Sequence, residues 1–467
     1  MRLLYGLVFQ LLSVNHGLIA GFIAGPSSLH DRANHCLHAS ISPISFESLI
    51  DKRVLVVGGS GRVGGSVVTQ LIKRGSRVTV GGTSKDSFLR SQARWADVFP
   101  DLADAMGTVS FHALNRESAE SVAKVLDADY FDLVVHTAGP FQGKVNVPNG
   151  VLAAAVDAKV PYVDVCDDYC TAMAAKSKYA ADAQVPCIVS TGCWPGVSSL
   201  MAKQLIQKTI QRNPSLTPQE LTVDFSFFTA GSGGAGSTLL VATFLILAEQ
   251  ALTIVNGRRR TVQPMRDYSK VNFGPIVGDK DIAHLNLLET ASVHDVLGVG
   301  NVKSLFGTAP GYWNTLLGIM AQFPSSVLSN QDLMSKLAIF SLPIVRVVDY
   351  FAGATNAMRC DVTSSQDATL KVTAIYAHEN LEPCVGECVV AFCSAILSGV
   401  VQPGVWFPEE AIEGGVDAAA VLNLASVGAH TVQVEGSIDF TCEEVWGKTS
   451  PLIGGQSVPC INKILIE

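Results

Sequence analysis

From residue 54 the chain alternates between short unbroken apolar runs and longer stretches with apolar positions at helical spacing. Val54-Leu55-Val56-Val57 is the first run. A parallel strand covered on both faces reads this way. Behind it, Val67, Val68, Leu71 and Ile72 recur at helical intervals, which predicts a helix over 66–74. Further strands are expected at 76–80, at the end of 97–111, and at 131–136, 162–165 and 187–191. Helices at 119–126, 150–158 and 197–210 separate them. The alternation predicts an α/β fold on a Rossmann-type, doubly wound parallel sheet.

Beyond residue 220 the period changes. Residues 221–228 alternate as a half-buried strand does. A helix is expected over 237–252, and its apolar run 238–248 is too short to span a bilayer. The run reads as a core helix or as the wall of a lipophilic pocket. Strands are expected at 254–262, 284–288, 360–363, 370–378 and 431–440, and helices at 313–321, 329–340 and 384–397. Pro383 and Gly399 bracket the last helix, as start and stop signals.

The turn after the first strand reads Gly58-Gly59-Ser60-Gly61-Arg62-Val63-Gly64. Glycines at 59, 61 and 64 permit a tight turn, close approach to a pyrophosphate and close packing of helix on strand. The following helix offers free amides and a positive dipole end. A dinucleotide cradle fits this setting. After the second strand come Gly81-Gly82-Thr83-Ser84-Lys85, with no acid before Asp86. An NAD site usually places an acid there. The hydroxyls of Thr83 and Ser84 and the charge of Lys85 suit a 2′-phosphate, so NADP(H) is expected in preference to NAD(H). Ala138, Gly139, Pro140 and Phe141, ending the fourth strand, are expected beside the cofactor. Gly231–Gly236 reads as a packing loop or a second anion nest.

Asp164, Asp167 and Asp168 lie at the end of the fifth strand and are the candidate catalytic acids. Crowded carboxylates raise one another's pKa; Asp167 or Asp168 could equally cap the next helix. Tyr169 is a second proton-donor candidate. Cys193 and Trp194 could touch nicotinamide or substrate, or pack in the core. His136 reads as a core histidine. Arg346 and Arg359 could hold a substrate carboxylate or form ordinary ion pairs.

At 467 residues the chain exceeds one core. A net charge of -8 and a pI near 5.7 argue against a nucleic-acid partner; a small-molecule substrate is expected. Arg258-Arg259-Arg260 reads as a solvated turn. The eleven cysteines lack a framework spacing and suggest free thiols in a reducing compartment. Cys384, Cys388 and Cys393 lack the partner pairs of a zinc site, and no metal is expected. Residues 1–25 resemble a secretory leader and 26–48 a transit segment. Gly21-Phe22-Ile23-Ala24-Gly25-Pro26 is similar to the presequence junction of algae with complex plastids. A plastid location is expected, with the secretory pathway or a membrane anchor as alternatives. Peripheral membrane association stays open, and there is no coiled-coil repeat from which to read an oligomer.

Together with the glycine loop, four further groups of residues carry a family resemblance. They are Ala138-Gly139-Pro140-Phe141, Tyr162 to Asp168, Pro195 to Met201, and Phe227 to Gly236. Phe306 to Pro310 and Gln402 to Glu410 extend it. Residues 52–413 resemble the saccharopine-dehydrogenase-like oxidoreductases, in their plant and algal plastid form. The resemblance implies a Rossmann domain, an inserted α+β domain with a mixed sheet, and an active cleft between them. Expected boundaries are a presequence over 1–50, a dinucleotide domain over 51–212, a substrate domain over 213–400, and a C-terminal segment over 401–467 returning toward the cleft. Members of this subgroup often carry arginine where Thr83 stands. The family includes amino-acid, polyamine and lipid-related reductases, so the implied activity is NADP-dependent hydride transfer to an amino acid or imine, or to a lipophilic compound. The rival is a catalytically inactive nucleotide sensor or membrane-associated scaffold, because no acid or base stands out.

Overall fold

In the computed structural model the first six strands are β1 (Arg53–Val57), β2 (Arg77–Gly82), β3 (Ser110–Ala113), β4 (Leu133–His136), β5 (Tyr162–Asp164) and β6 (Pro186–Ile188). All pair in parallel, in the order β6-β5-β4-β1-β2-β3. The winding reverses between β1 and β4, which opens a crevice at the strands' carboxyl ends. β4 and β5 are wholly buried, as are the last four residues of β1. That accounts for their unbroken apolar runs. The structure describes residues 44–231, 237–367, 369–437, 442–447 and 460–462.

The second sheet holds β7 (Leu221–Ala230), β8 (Ala251–Val255), β9 (Arg258–Val262), β10 (Ser269–Asn272), β11 (Asp279–His284), β12 (Asn301–Ala309), β13 (Thr355–Ser364) and β14 (Lys371–His378). It is mixed, since β7 runs parallel to β12 and antiparallel to β13. The chain then crosses back. β15 (Gly404–Trp406) adds a seventh parallel strand to the first sheet, beside β6. β16 (Thr431–Gly436) returns to the second sheet beside β14, and β17 (Cys460–Asn462) pairs with β16. The fold is thus a doubly wound parallel sheet joined to a second, mixed sheet.

Helices bind the two sheets into one core. The buried helix Leu381–Leu397 packs on helix Arg62–Lys73, which follows the glycine turn, and on helix Val416–Ala425. Buried side chains run continuously from Val56 through Leu200 to Phe227 and Val389. The ends of the expected presequence also belong to this core. Ile44 and Leu49 are buried, and the Arg74 guanidinium lies 3.8 Å from the Phe46 ring centroid. Packing therefore begins before the expected boundary at residue 50; residues 1–43 lie outside the described residues.

The second sheet departs from the sequence expectations at several points. The helix expected over 237–252 stops at Ile246, because Leu252 turns into β8 and donates its amide to Asn286 Oδ1 at 3.2 Å. The single strand expected over 254–262 is a hairpin, β8 and β9, turned at Asn256-Gly257 with both φ angles positive, 49° and 71°. That pair is the signature of a two-residue hairpin turn. Arg258-Arg259-Arg260 is accordingly an exposed strand and not a turn. Residues 284–288 end β11 and open helix Leu288–Leu297. Helix Gln331–Ala352 runs well past residue 340, with Pro343 inside it. β12 and helix Lys85–Val98 were not anticipated. Eight described cysteines are free thiols, but Cys442 is disulfide-bonded, contrary to the expectation of thiols throughout. The loop 232–236 and residues 438–440 of the expected last strand lie outside the described residues.

Candidate active site

Buried β1 delivers the chain into the glycine turn. Gly58 has φ +85°, and a Cβ there would stand 2.8 Å from Ala138. A Cβ on Gly64 would stand 2.3 Å from Gly58 O. The helix can reach the turn only because both positions lack side chains. Helix Arg62–Lys73 starts at Gly61, and its first-turn amides have no acceptor within the helix. Ser60 Oγ is buried without a protein partner, while Ser91 Oγ donates to Ser60 O at 2.8 Å and ties the turn to the next helix. These groups suit a pyrophosphate: free donors, a positive helix end and room for close approach. Gly59, Ser60, Gly61, Val63 and Gly64 offer backbone. The Arg62 guanidinium instead faces Glu382, at 3.4 Å.

At the end of β2, Thr83, Ser84 and Lys85 are exposed. Ser84 is the cap of helix Lys85–Val98, accepting from Ser87 N at 3.1 Å. The cap places Lys85 at a helix N-terminus immediately after the strand, in keeping with an anion there. On the other side of β1, Thr137 N and Oγ1 both donate to Val57 O, at 2.9 and 3.0 Å. This holds Ala138 against the glycine turn. Gly139 O accepts from Arg116 Nη1 at 2.9 Å, and the Gly139-Pro140 bond is cis. Phe141 is buried against the His136 ring.

The three aspartates after β5 have different surroundings. Asp164 is 1% exposed and accepts from Ser190 N, Cys166 N and Tyr162 OH at 2.8, 3.0 and 2.8 Å. It clamps β5 to the end of β6. Asp168 caps helix Tyr169–Tyr179, accepting from Thr171 N at 2.7 Å, and also from Gly143 N at 3.3 Å. Asp167 is the uncommitted one. Burial pushes its carboxyl up to about 6, opposed by the Gln142 side chain and raised further by Asp168 and Asp164.

Asp167, Asp168 and Tyr169 line a cavity of about 240 Å³ whose other walls come from the second sheet and its loops: Leu252, Arg259 and Asn286. Arg259 is paired with Asp295, which also accepts from Tyr169 OH. Glu249 is bound by Asn286 Nδ2. Its carboxyl is raised by burial and by the charge of Asp168, although the Asn286 bond opposes this. Glu249, Arg259 and Asn286 were missed by sequence reasoning. Only the fold brings them to β5, and no local pattern marks them.

The remaining candidates fall elsewhere. Cys193 is buried, Asn356 Nδ2 faces Cys384 Sγ at 3.4 Å, and Trp194 Nε1 donates to Asn356 Oδ1 at 3.1 Å. Trp194 stacks on Phe227, so this group packs the junction of the two sheets. Tyr162 gives its hydroxyl proton to Asp164, so His136 Nδ1, 3.1 Å away, must be the donor to Tyr162. Burial, with the Arg116 charge, pushes His136 down to about 3; it is a neutral core histidine. Arg359 makes a bidentate pair with Asp361, both contacts at 2.8 Å. Arg346 is exposed on helix Gln331–Ala352. Neither arginine lines the cavity.

A glycine turn at the switch point of a doubly wound sheet, in a chain that also holds a cavity between the end of β5 and a second sheet, defines a two-sheet dinucleotide-binding protein. Residues 54–188 match the family described as saccharopine dehydrogenase NADP binding domain, which makes NADP(H) the nucleotide. The apo histidine-tagged saccharopine dehydrogenase (L-Glu forming) from Saccharomyces cerevisiae has the same fold. Its TM-score is 0.52 at 13% identity, over 79% of this chain and 96% of that one. An NADPH-bound short chain oxidoreductase from Pseudomonas aeruginosa PAO1 overlaps with a TM-score of 0.24 at 14% identity, over 34% of this chain and 83% of that one. No curated protein sequence matches the chain significantly.

Proposed function

We propose that the protein is an NADP(H)-dependent oxidoreductase that moves a hydride to or from a small molecule seated between Asp167 and Arg259. The observation that supports this most is the position of Asp167. Of the three carboxylates after β5, it alone lines the cavity without being committed to a clamp or a helix cap. The turn Gly58–Gly64 would hold the pyrophosphate on backbone amides and Ser60 Oγ, and Thr83, Ser84 and Lys85 would meet the 2′-phosphate. The bound nucleotide supplies the hydride chemistry. The chain's own part is to orient the substrate, exclude water and hold a proton on the Asp167 carboxyl.

The cavity lining favours an amine or imine over a carboxylate. Asp167, Asp168 and Glu249 bring negative charge to it, and Arg259 is already paired with Asp295. Ile246, Leu252 and Leu287 would carry the substrate's carbon body. The test is fluorescence titration of purified protein with NADPH and NADH, followed by NADPH oxidation against pools of imines and of lipophilic carbonyl compounds. Preference for NADPH with oxidation in the imine pool is expected. Tight NADPH binding without turnover in any pool would return the sensor reading. Plastid import through residues 1–50 belongs to the same proposal, and a diffuse cytosolic signal from a reporter fused to them would refute it.

A further inference from the structure

Helix Gln331–Ala352 buries little of itself. Met334 and Ala338 turn inward, one turn apart, and the helix packs on helix Ser237–Ile246. Beyond Ala338 none of its described side chains is buried. A surface helix ordinarily carries polar residues on its outer face. This one carries Leu333, Phe340, Ile344 and Val347, with Ile339, Tyr350 and Phe351 beside them, all exposed. Phe340, Tyr350 and Phe351 are 74%, 84% and 81% exposed. An aromatic side chain covers about 150–250 Å², so these three rings alone present roughly 350–600 Å² to solvent. That already matches the largest apolar patch of a typical monomer, about 300–600 Å². The aliphatic side chains bring the stripe toward the roughly 800 Å² per partner that stable pairing takes.

The charges on this face are ordered about its middle. Asp332, Ile339 and Arg346 follow one another at intervals of seven residues, close to two turns, so they share one line along the helix. All three are exposed, and neither charge has an ion-pair partner among the described residues. A second copy of the helix, laid antiparallel and centred on Ile339, sets Asp332 of each copy opposite Arg346 of the other. Opposite charges flanking an apolar seam fix the orientation of paired helices. Lys336 falls opposite Leu342 and reaches past it to solvent. A bilayer would use the apolar stripe but not this order of charges. The chain's net charge of -8 also opposes an anionic membrane surface, and no described helix is long and apolar enough to cross one.

We propose that this face pairs with the same face of a second copy of the chain, the two helices lying antiparallel about a two-fold axis near Ile339. The interface is isologous, so each copy's exposed rings meet the other copy's stripe. It stands beside the cavity: Gln331 Nε2 donates to Gln142 O at 3.2 Å, and Gln142 lines the cavity. The pairing does not depend on the function proposed above.

Sedimentation velocity of the full-length protein over a dilution series tests it, with NADPH fluorescence as the check on folding. A dimer is expected. Phe340→Asp/Val347→Asp should weaken it by roughly a hundredfold or more, because each substitution occurs twice and leaves a carboxylate against an apolar partner. Asp332→Arg and Arg346→Asp should each weaken it by about tenfold, and the two together should restore it. Should the apolar double variant lose NADPH binding, the charge series decides alone. A monomer at every concentration, a dimer indifferent to Phe340→Asp/Val347→Asp, or a double charge reversal that recovers nothing overturns the pairing. A monomer that floats with phosphatidylcholine vesicles, and no longer does so as Phe340→Asp/Val347→Asp, overturns it too and gives the face to lipid.

Discussion

A Cβ on Gly64 would stand 2.5 Å from Thr137 Oγ1, so the first turn of one helix and the end of β4 meet at a distance that only glycine allows. The contact aligns two halves of the cofactor cradle, the glycine turn and Ala138. Gly64→Ala is expected to push the helix off the turn. Overpacking of this kind costs about 1–3 kcal/mol. The variant should melt earlier and bind NADPH at least about tenfold more weakly, a change worth about 1.4 kcal/mol. Differential scanning fluorimetry and fluorescence titration check both effects.

Lys85→Glu separates the two nucleotides. It puts a negative charge where the 2′-phosphate would sit, at the start of helix Lys85–Val98. NADPH affinity should fall by about tenfold, while NADH, which lacks that phosphate, should be held as before. Equal losses for both nucleotides would show that Lys85 does not read the 2′ position.

Asp167 should leave its mark on the pH profile. Its carboxyl is raised to about 6, so it carries a proton below that pH and is ionised above it. As a general acid it acts when protonated, and reduction should slow as pH rises through about 6. The reverse oxidation needs the carboxylate and should quicken over the same range. Asp167→Asn should remove that limb and lower turnover by about 10²–10⁴-fold. Steady-state rates in both directions test it.

Glu409 should shape stability. It lies in helix Pro408–Ala411, 1% exposed, and burial raises its carboxyl from the usual 4.5 to about 7, so the native state binds more protons than the unfolded chain between those limits. Stability therefore falls as pH rises through that window and then levels off. Glu409→Gln should flatten the fall and melt higher than wild type above about pH 7. Thermal melts across the window decide it; parallel curves for the two proteins would count against the assignment.

Arg359→Ala should destabilise the second sheet, read as an earlier melt, without touching the nucleotide. The Arg359–Asp361 pair is largely buried, with side chains 11% and 12% exposed. Removing one partner of a buried pair costs up to about 3–5 kcal/mol; Lys371 Nζ, 3.5 Å from Asp361, and Thr373 Oγ1 stay beside the carboxylate and limit the loss. NADPH affinity of the surviving folded protein should not change.

The first sheet was legible because its strands are covered on both faces. Val54–Val57 and Leu133–His136 are unbroken apolar runs for that reason. β9 was not, since Arg258, Arg259 and Arg260 are all exposed and no alternation marks the strand. Helix Leu288–Leu297 escaped for the opposite reason. Its buried face includes Glu289, Thr290 and Ser292, polar residues that a hydrophobic pattern passes over. The phosphate turn could be read because its chemistry is local. The cavity could not, because Arg259 and Asn286 reach Asp167 only through the pairing of strands far apart in the chain. Asp164 illustrates the limit on single residues: its position suggested an acid, and its three donors show a clamp.

β15 has a consequence for how the protein is made. The edge of the nucleotide-binding sheet is finished by Gly404–Trp406, which pairs with Pro186–Ile188 across more than half of the second sheet's sequence. During synthesis from the N-terminus, β6 stays an open edge until residue 406 has emerged, and open edges invite wrong partners. The two sheets are thus not successive products of translation. The domain that begins first closes late, and a chain cut before residue 404 would carry every glycine of the cofactor turn on a sheet still missing its last strand.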